Sequence, residues 1–296
     1  MFLLEWVRSI RSRFSQWVQS LEQRSFAFAV FLASVKAFNE NNSMHLAAGV
    51  AYYALLSLFP LMLGFIALSS FALESAEARD AVINGVTRVL PGTADLVRRN
   101  IELALRERGT IGIVAAVILL WSGKGVFAAI MTSLNLAWNV KESRPFLQRT
   151  AMQLGMVFAV GLFLLFSLAI TGALQFLARL EAPLTATHPF AEIWNLLAFL
   201  LPLALTMIAF YLVYRFVPNA VVASQDAWPG AITAGVLFVI AQNTFVYFTT
   251  TFTSFPLVYG SIAAVIVLLL WAWISSLILL FGAEISAECS ALRRCR

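Results

Sequence analysis

Residues 46–68 read LAAGVAYYALLSLFPLMLGFIAL, 23 positions without one charged side chain. A bilayer hydrocarbon core about 30 Å thick takes roughly 20 apolar helical residues to cross, so a run like this has few soluble fates. Within it lie Tyr52, Tyr53, Ser57 and Pro60, which packing against lipid tails does not require. A proline inside a helix removes one backbone donor and crowds the preceding turn, so a kink is expected near Ser57 and Pro60. In a membrane such a defect survives only where protein or a wet cavity satisfies the freed carbonyl. Two readings stay open: a tolerated kink, and a break that lines a substrate path.

Composition extends the inference to the whole chain. Only 12% of the 296 residues are charged and 61% are hydrophobic, against about a quarter charged in soluble domains. A polytopic membrane protein follows. Residues 1–42 hold no uninterrupted apolar core followed by a small-residue cleavage site, so no cleavable signal peptide is expected. Cys289 and Cys295 lie together near the end and read as two free thiols rather than a disulfide framework. His45 and His188 are the only histidines, which leaves no Cys/His metal cluster to build.

Six candidate spans are expected, at 46–72, 110–138, 150–178, 191–216, 228–250 and 258–283. Ahead of them, Trp6, Ile10, Phe14, Trp17 and Leu21 recur at helical spacing, with Arg8, Arg11 and Arg13 largely off that stripe. Residues 5–21 thus read as an amphipathic helix, lying either in the membrane interface or on the protein's own cytoplasmic face. With six spans both termini share one side, whose flanks hold twelve Lys and Arg against seven on the other. The positive-inside bias puts that side in the cytoplasm. The outer loop, residues 73–109, carries two short apolar stripes separated by Pro91, Gly92 and Thr93. It reads as two amphipathic helices, forming either a lid over the bundle or a solvated interfacial hairpin.

Lys124 is the most informative single residue, because it stands between Gly123 and Gly125 inside the second span. Fourteen residues after Thr110, it lies about 21 Å along a helix, past the midplane. A lysine at a span's centre costs roughly 2.5–3.5 kcal/mol, and less where it can reach the interface. It is therefore either a snorkelling lysine or a cation facing a polar cavity. Apart from Glu192 at the very start of the fourth span, no acid lies inside a span, and Glu284 is the nearest partner by depth. In the fifth span Trp228, Pro229 and Gly230 mark a helix start, and Gln242, Asn243 and Tyr247 are polar enough to be expected toward the bundle interior. Pro202 in the fourth span is a second candidate kink. Residues 59–67 and 255–263 agree at six of nine positions, an echo that would pair Pro60 with a Pro-Leu-Val-Tyr259-Gly260 segment before the sixth span.

No phosphate-binding GxxxxGK[ST] loop, HExxH pair or GxSxG elbow is present, so an enzyme is not expected. The basic residues are scattered along inner flanks, where topology accounts for them without nucleic acid.

The run AAGVAYYALLSLFPLMLGFIAL, the outer PGT, LLWSGKGVFAAIMTSLNLAWNV with the following Arg-Pro-Phe, the WPGA helix start and YGSIAAVIVLLLWAWISSLILLFGAEI together resemble the YihY / virulence factor BrkB family. The resemblance runs in order over nearly the whole chain. It implies a bacterial inner-membrane protein. Members were formerly labelled ribonuclease BN; some are linked to resistance to serum killing, and others have been proposed to move lipids or their precursors. The family supplies no agreed catalytic residues.

The expected fold is an all-α polytopic bundle. A cytoplasmic amphipathic segment (1–45) precedes six spans (46–285), and a cytoplasmic tail (286–296) follows. The expected function is transport, flippase-like, of an anionic envelope lipid, with Tyr52, Ser57, Pro60, Lys124, Gln242, Asn243 and Tyr259 lining the path. Gly123, Gly125, Pro202 and Gly260 would serve packing or hinging. The alternative is a scaffold that engages an envelope protein through loop 73–109. No cofactor or metal is called for.

Overall fold

The structure, a computed structural model, describes residues 26–72, 110–140, 144–181, 191–251 and 262–294. Every regular element among them is helical: α1 (Phe26–Glu40), α2 (Ser43–Ala72), α3 (Thr110–Ala137), α4 (Phe146–Glu181), α5 (Ala191–Phe216), α6 (Ser224–Thr251) and α7 (Ile262–Arg294). The helices α2 to α7 fall on the six apolar stretches. Apolar sequence in lipid leaves the backbone no water to bond, so intrahelical pairing is the one local solution. Phe146–Phe163, Ser224–Thr249 and Val265–Arg294 are long and apolar enough to cross a membrane, and Leu200–Phe216 is a shorter apolar stretch within α5. The N-terminal amphipathic helix at 5–21, the outer loop 73–109, Tyr259 and Gly260 lie outside the described residues.

Both expected kink sites sit in continuous helix. Helix α2 runs through Pro60 and α5 through Pro202. Beside the second, the Thr206 hydroxyl donates to the Pro202 carbonyl at 2.8 Å. Pro229 lies in the second turn of α6, because that helix begins four residues before Trp228.

Asparagines in left-handed conformation end two helices. Asn139 (φ 51°) follows α3, where its N–H donates to Leu136 and the Val140 N–H reaches back to Asn135, both at 2.9 Å. Two otherwise orphaned terminal carbonyls are satisfied in this way. Asn42 (φ 51°) separates α1 from α2, and its carbonyl accepts the first bonds of α2. Asparagine is among the few side-chain-bearing residues that visit this region readily.

The helices alternate in direction, and the tertiary contacts show it. The start of α2, the end of α3, the start of α4, the end of α5, the start of α6 and the end of α7 meet at one end of the bundle. The core sits there too. Met131 and Leu134 of α3, Phe210 and Tyr214 of α5, Ala227, Ala231 and Ala234 of α6, and Ile278 and Ala283 of α7 are all buried. Small residues let α6 and α7 come close. A Cβ on Gly230 would overlap the Gly282 carbonyl oxygen and the Ser286 hydroxyl, so the two backbones touch at that level, as small-residue faces in membranes allow.

Helix α1 was not expected as a separate element. It lies on the C-terminal part of α7, where Val30 joins Ile285 and Cys289 in a second buried cluster. Phe281 is set edge-on to Phe31 and Phe38, at 6.1 and 5.8 Å between ring centres, a favoured aromatic geometry. Residues 286–294, expected as the start of a tail, instead continue α7 and form the surface on which α1 rests. Cys289 is a free thiol, buried there.

Candidate functional site

Lys124 leaves α3 between two packed flanks. On one side Gly123 meets Val157 of α4; a Cβ there would come within 3.1 Å of the valine. On the other side Gly125 meets the ring of Tyr53 of α2 at the same 3.1 Å. Any larger residue at 125 would press on that ring. Positions 123 and 125 are two residues apart on a helix and face nearly opposite ways, which leaves Lys124 pointing between α2 and α4.

The ammonium group lies 5.3 Å from the centre of the Trp121 ring, one turn back on α3, and 5.5 Å from that of Phe146, the first residue of α4. Both rings are largely exposed, at 76% and 74%. Rings presented to a cation at this range each contribute about 0.5–1 kcal/mol at an exposed site. No carboxylate among the described residues lies within ion-pair distance of Lys124. Glu284, the acid nearest to it in expected depth, is held elsewhere: its Oε1 accepts from Asn41 Nδ2 at 2.9 Å and from Ser43 Oγ at 3.1 Å.

Of the other expected site residues, the structure brings Tyr52 and Tyr53 to the level of Lys124. Their rings meet edge to face at 5.6 Å, and both are partly exposed. Ser57 turns its hydroxyl back to the Ala54 carbonyl at 2.8 Å. The side chain of Pro60 is outside the described set. Gln242 and Asn243 are exposed on α6, and Asn243 donates to the Val239 carbonyl at 3.0 Å. Helix α6 packs on α5 and α7 rather than on the α2–α3 pair that carries Lys124.

Three features had no place in the sequence reading. The aromatic pair around Lys124 is one; Trp121 sits one helical turn from it, and Phe146 closes the Arg-Pro-Phe run. Arg144 of that run is the second. Its guanidinium donates to the carbonyls of Val217 (3.3 Å) and Pro218 (3.1 Å), just past the end of α5, and lies against the Met152 sulfur. Beside it the Asn219 N–H donates to Asn135 Oδ1 at 2.7 Å. The end of α5 is thus capped by a cation and pinned to α3, as a helix C-terminus favours. The third is the buried group formed by Asn41, Ser43 and Glu284. Among the described residues no three His, Cys, Asp or Glu side chains gather closely enough to hold a metal ion.

Long apolar helices with an exposed apolar exterior define an integral membrane protein. The comparisons give the family. Residues 34–294 match the family model Virulence factor BrkB, and the chain belongs to that family. Among its relatives, a Bacillus subtilis (strain 168) protein with a ribonuclease-like name, YfkH, is 28% identical over 246 residues, 81% of this chain and 87% of that one. A UPF0761 membrane protein of Cronobacter sakazakii (strain ATCC BAA-894) is 28% identical over 262 residues, 87% of each chain. UPF0761 membrane protein RSc1559 of Ralstonia nicotianae is 28% identical over 242 residues, 82% of this chain and about half, 51%, of its own length. No solved structure matches.

Proposed function

We propose that this protein binds an anionic amphiphile, a lipid of the bacterial envelope, and moves it across the inner membrane in a flippase-like manner. In this arrangement six helices cross the bilayer and both termini are cytoplasmic. The end of the bundle that gathers Lys36, Arg144, Arg149, Arg215, Arg293 and Arg294 faces the cytoplasm, in keeping with the positive-inside bias. The single observation that carries the proposal is Lys124: a cation within an apolar helix, with no carboxylate partner among the described residues, set between two exposed rings. A phosphate head group supplies the missing countercharge, and Trp121 and Phe146 offer surface to the first carbons of an acyl chain.

The test is native mass spectrometry of the protein in mild detergent, wild type beside Lys124→Ala and Lys124→Arg. Retained anionic lipid on wild type and Lys124→Arg, lost on Lys124→Ala, supports the site and leads to flux assays in liposomes. Equal lipid on all three removes Lys124 from substrate binding and turns the assignment to a non-transporting scaffold working through residues 73–109. The ribonuclease-like name of the Bacillus subtilis relative is said of that protein and is not carried over to this chain.

A further inference from the structure

Glu284 is a carboxyl with two unlike oxygens. The residue is 1% exposed. Its Oε1 receives both of the hydrogen bonds described above, from the corner between α1 and α2, while its Oε2 is equally buried and meets no hydrogen-bond partner. No lysine, arginine or histidine among the described residues lies within ion-pair distance. The charged and titratable groups on the elements around it are otherwise engaged or turned outward. Lys36 and Glu40 of α1 pair with each other at 3.7 Å, His45 of α2 is exposed, the Tyr214 hydroxyl of α5 donates to the Leu279 carbonyl, and Arg293 of α7 pairs with Asp226 of α6. Glu288, one turn further along α7, adds like charge.

An ionised carboxylate with one oxygen idle is far costlier to bury than a neutral carboxyl in the same place. Two things could neutralise it. A metal ion needs several oxygen ligands around it, and a single idle oxygen with no partner atom in reach is a poor start on such a shell. A proton needs one oxygen only. We infer that Glu284 is a proton-binding site, with Oε2 carrying the proton and Oε1 acting as the carbonyl that fastens the α1–α2 corner to α7. Release of the proton to water leaves a buried carboxylate beside Glu288; Asn41 and Ser43 then donate to a stronger acceptor, but the cost of holding that charge away from water is the larger effect and weakens the folded state. The docking of α1 and α2 on α7 is therefore pH-dependent, whether or not the protein moves lipid.

The experiment is infrared difference spectroscopy and thermal melting of the full chain in detergent, from about pH 5 to about pH 9. Wild type minus Glu284→Gln is expected to show one protonated-carboxyl C=O band at neutral pH, sensitive to deuterium. The wild-type melting temperature is expected to fall by several degrees with rising pH, and that of Glu284→Gln to stay flat. Ser43→Ala keeps the acid but removes one donor to Oε1, so it should move the band to higher frequency; this variant carries the test if Glu284→Gln does not fold. Absence of the band, with parallel melting curves, overturns the inference. Stabilisation of wild type by sodium or potassium that Glu284→Gln lacks overturns it in favour of a metal cation.

Discussion

The Tyr214 hydroxyl of α5 donates to the Leu279 carbonyl of α7 at 2.8 Å, just where Gly282, the next turn of α7, presents no side chain. A tyrosine with no exposed surface is thus seated in a notch that glycine alone leaves open. Three helices converge on that notch, because Ala234 and Gly230 of α6 line its other wall.

Filling the notch should separate the helices. In Gly282→Ala the new Cβ would overlap the Tyr214 hydroxyl and lie 2.8 Å from the Ala234 Cβ and 2.9 Å from the Gly230 carbonyl oxygen. Overpacking of this kind costs about 1–3 kcal/mol, and backbone on one side puts it at the upper end. Folded yield and melting temperature in mild detergent measure it. Gly155→Ala in α4, where nothing lies within 4 Å, is the control; it should be neutral or gain up to about 1 kcal/mol of helix propensity.

Tyr214→Phe should be milder. It gives up one hydrogen bond and keeps the stacked contact with Phe210, 5.9 Å between ring centres. The expected loss is about 1 kcal/mol, clearly below that of Gly282→Ala in the same melting assay.

Arg144→Ala should loosen the turn between α5 and α6. Its guanidinium is half-buried and serves two carbonyls at once, so the expected loss is about 2 kcal/mol. Arg144→Lys should recover only part, since an ammonium does not match a two-carbonyl fork. Protease nicking at 217–223, followed on gels, reports the loosening directly.

Asp226→Asn tests an interaction that ought to matter little. Arg293 reaches Asp226 at 3.1 Å; the Asp226 side chain is only 10% exposed, but that of Arg293 is 40% exposed and is left facing water when its partner is neutralised, so the expected loss is about 1 kcal/mol or less. Melting curves of variant and wild type should differ slightly at low salt and converge at about 1 M salt, where screening is short-ranged.

Lys124→Ala should separate stability from ligand binding. The ammonium meets two exposed rings, so the loss of stability should be no more than about 2 kcal/mol. Bound anionic lipid should fall at the same time. A large loss of stability instead would make Lys124 a packing residue.

Much of the architecture was legible in the chain alone. The expected span at 191–216 coincides with α5, that at 110–138 differs from α3 by one residue, and that at 46–72 from α2 by three. Long apolar runs with few charges fix helix in a solvent that cannot satisfy the backbone. The far end of α7 was less legible: residues 286–294 carry Glu288, Arg293 and Arg294 and look like a tail, yet they stay helical because α1 covers one face with Val30 and Phe26. Helix α1 was obscured for the mirror-image reason. Its short apolar stripe gives no sign of the surface that receives it.

The site divides along the same line. That Lys124 is anomalous follows from its own neighbours in the chain, Gly123 and Gly125, and from the cost of a cation in lipid. That its ammonium lies by Phe146 rather than Glu284 does not, because α4 is placed by packing on α3.

Sequence by itself determined which stretches are helical and that they belong in a membrane, since both depend on local apolar length and on backbone bonding within one segment. Tertiary structure alone decided that Tyr214 fits against Gly282, and that Asn41 and Ser43 bond to Glu284 from 243 and 241 residues away. Such pairings depend on how helices rotate and approach, and that is set by the volumes of small residues meeting across an interface, which no single segment encodes.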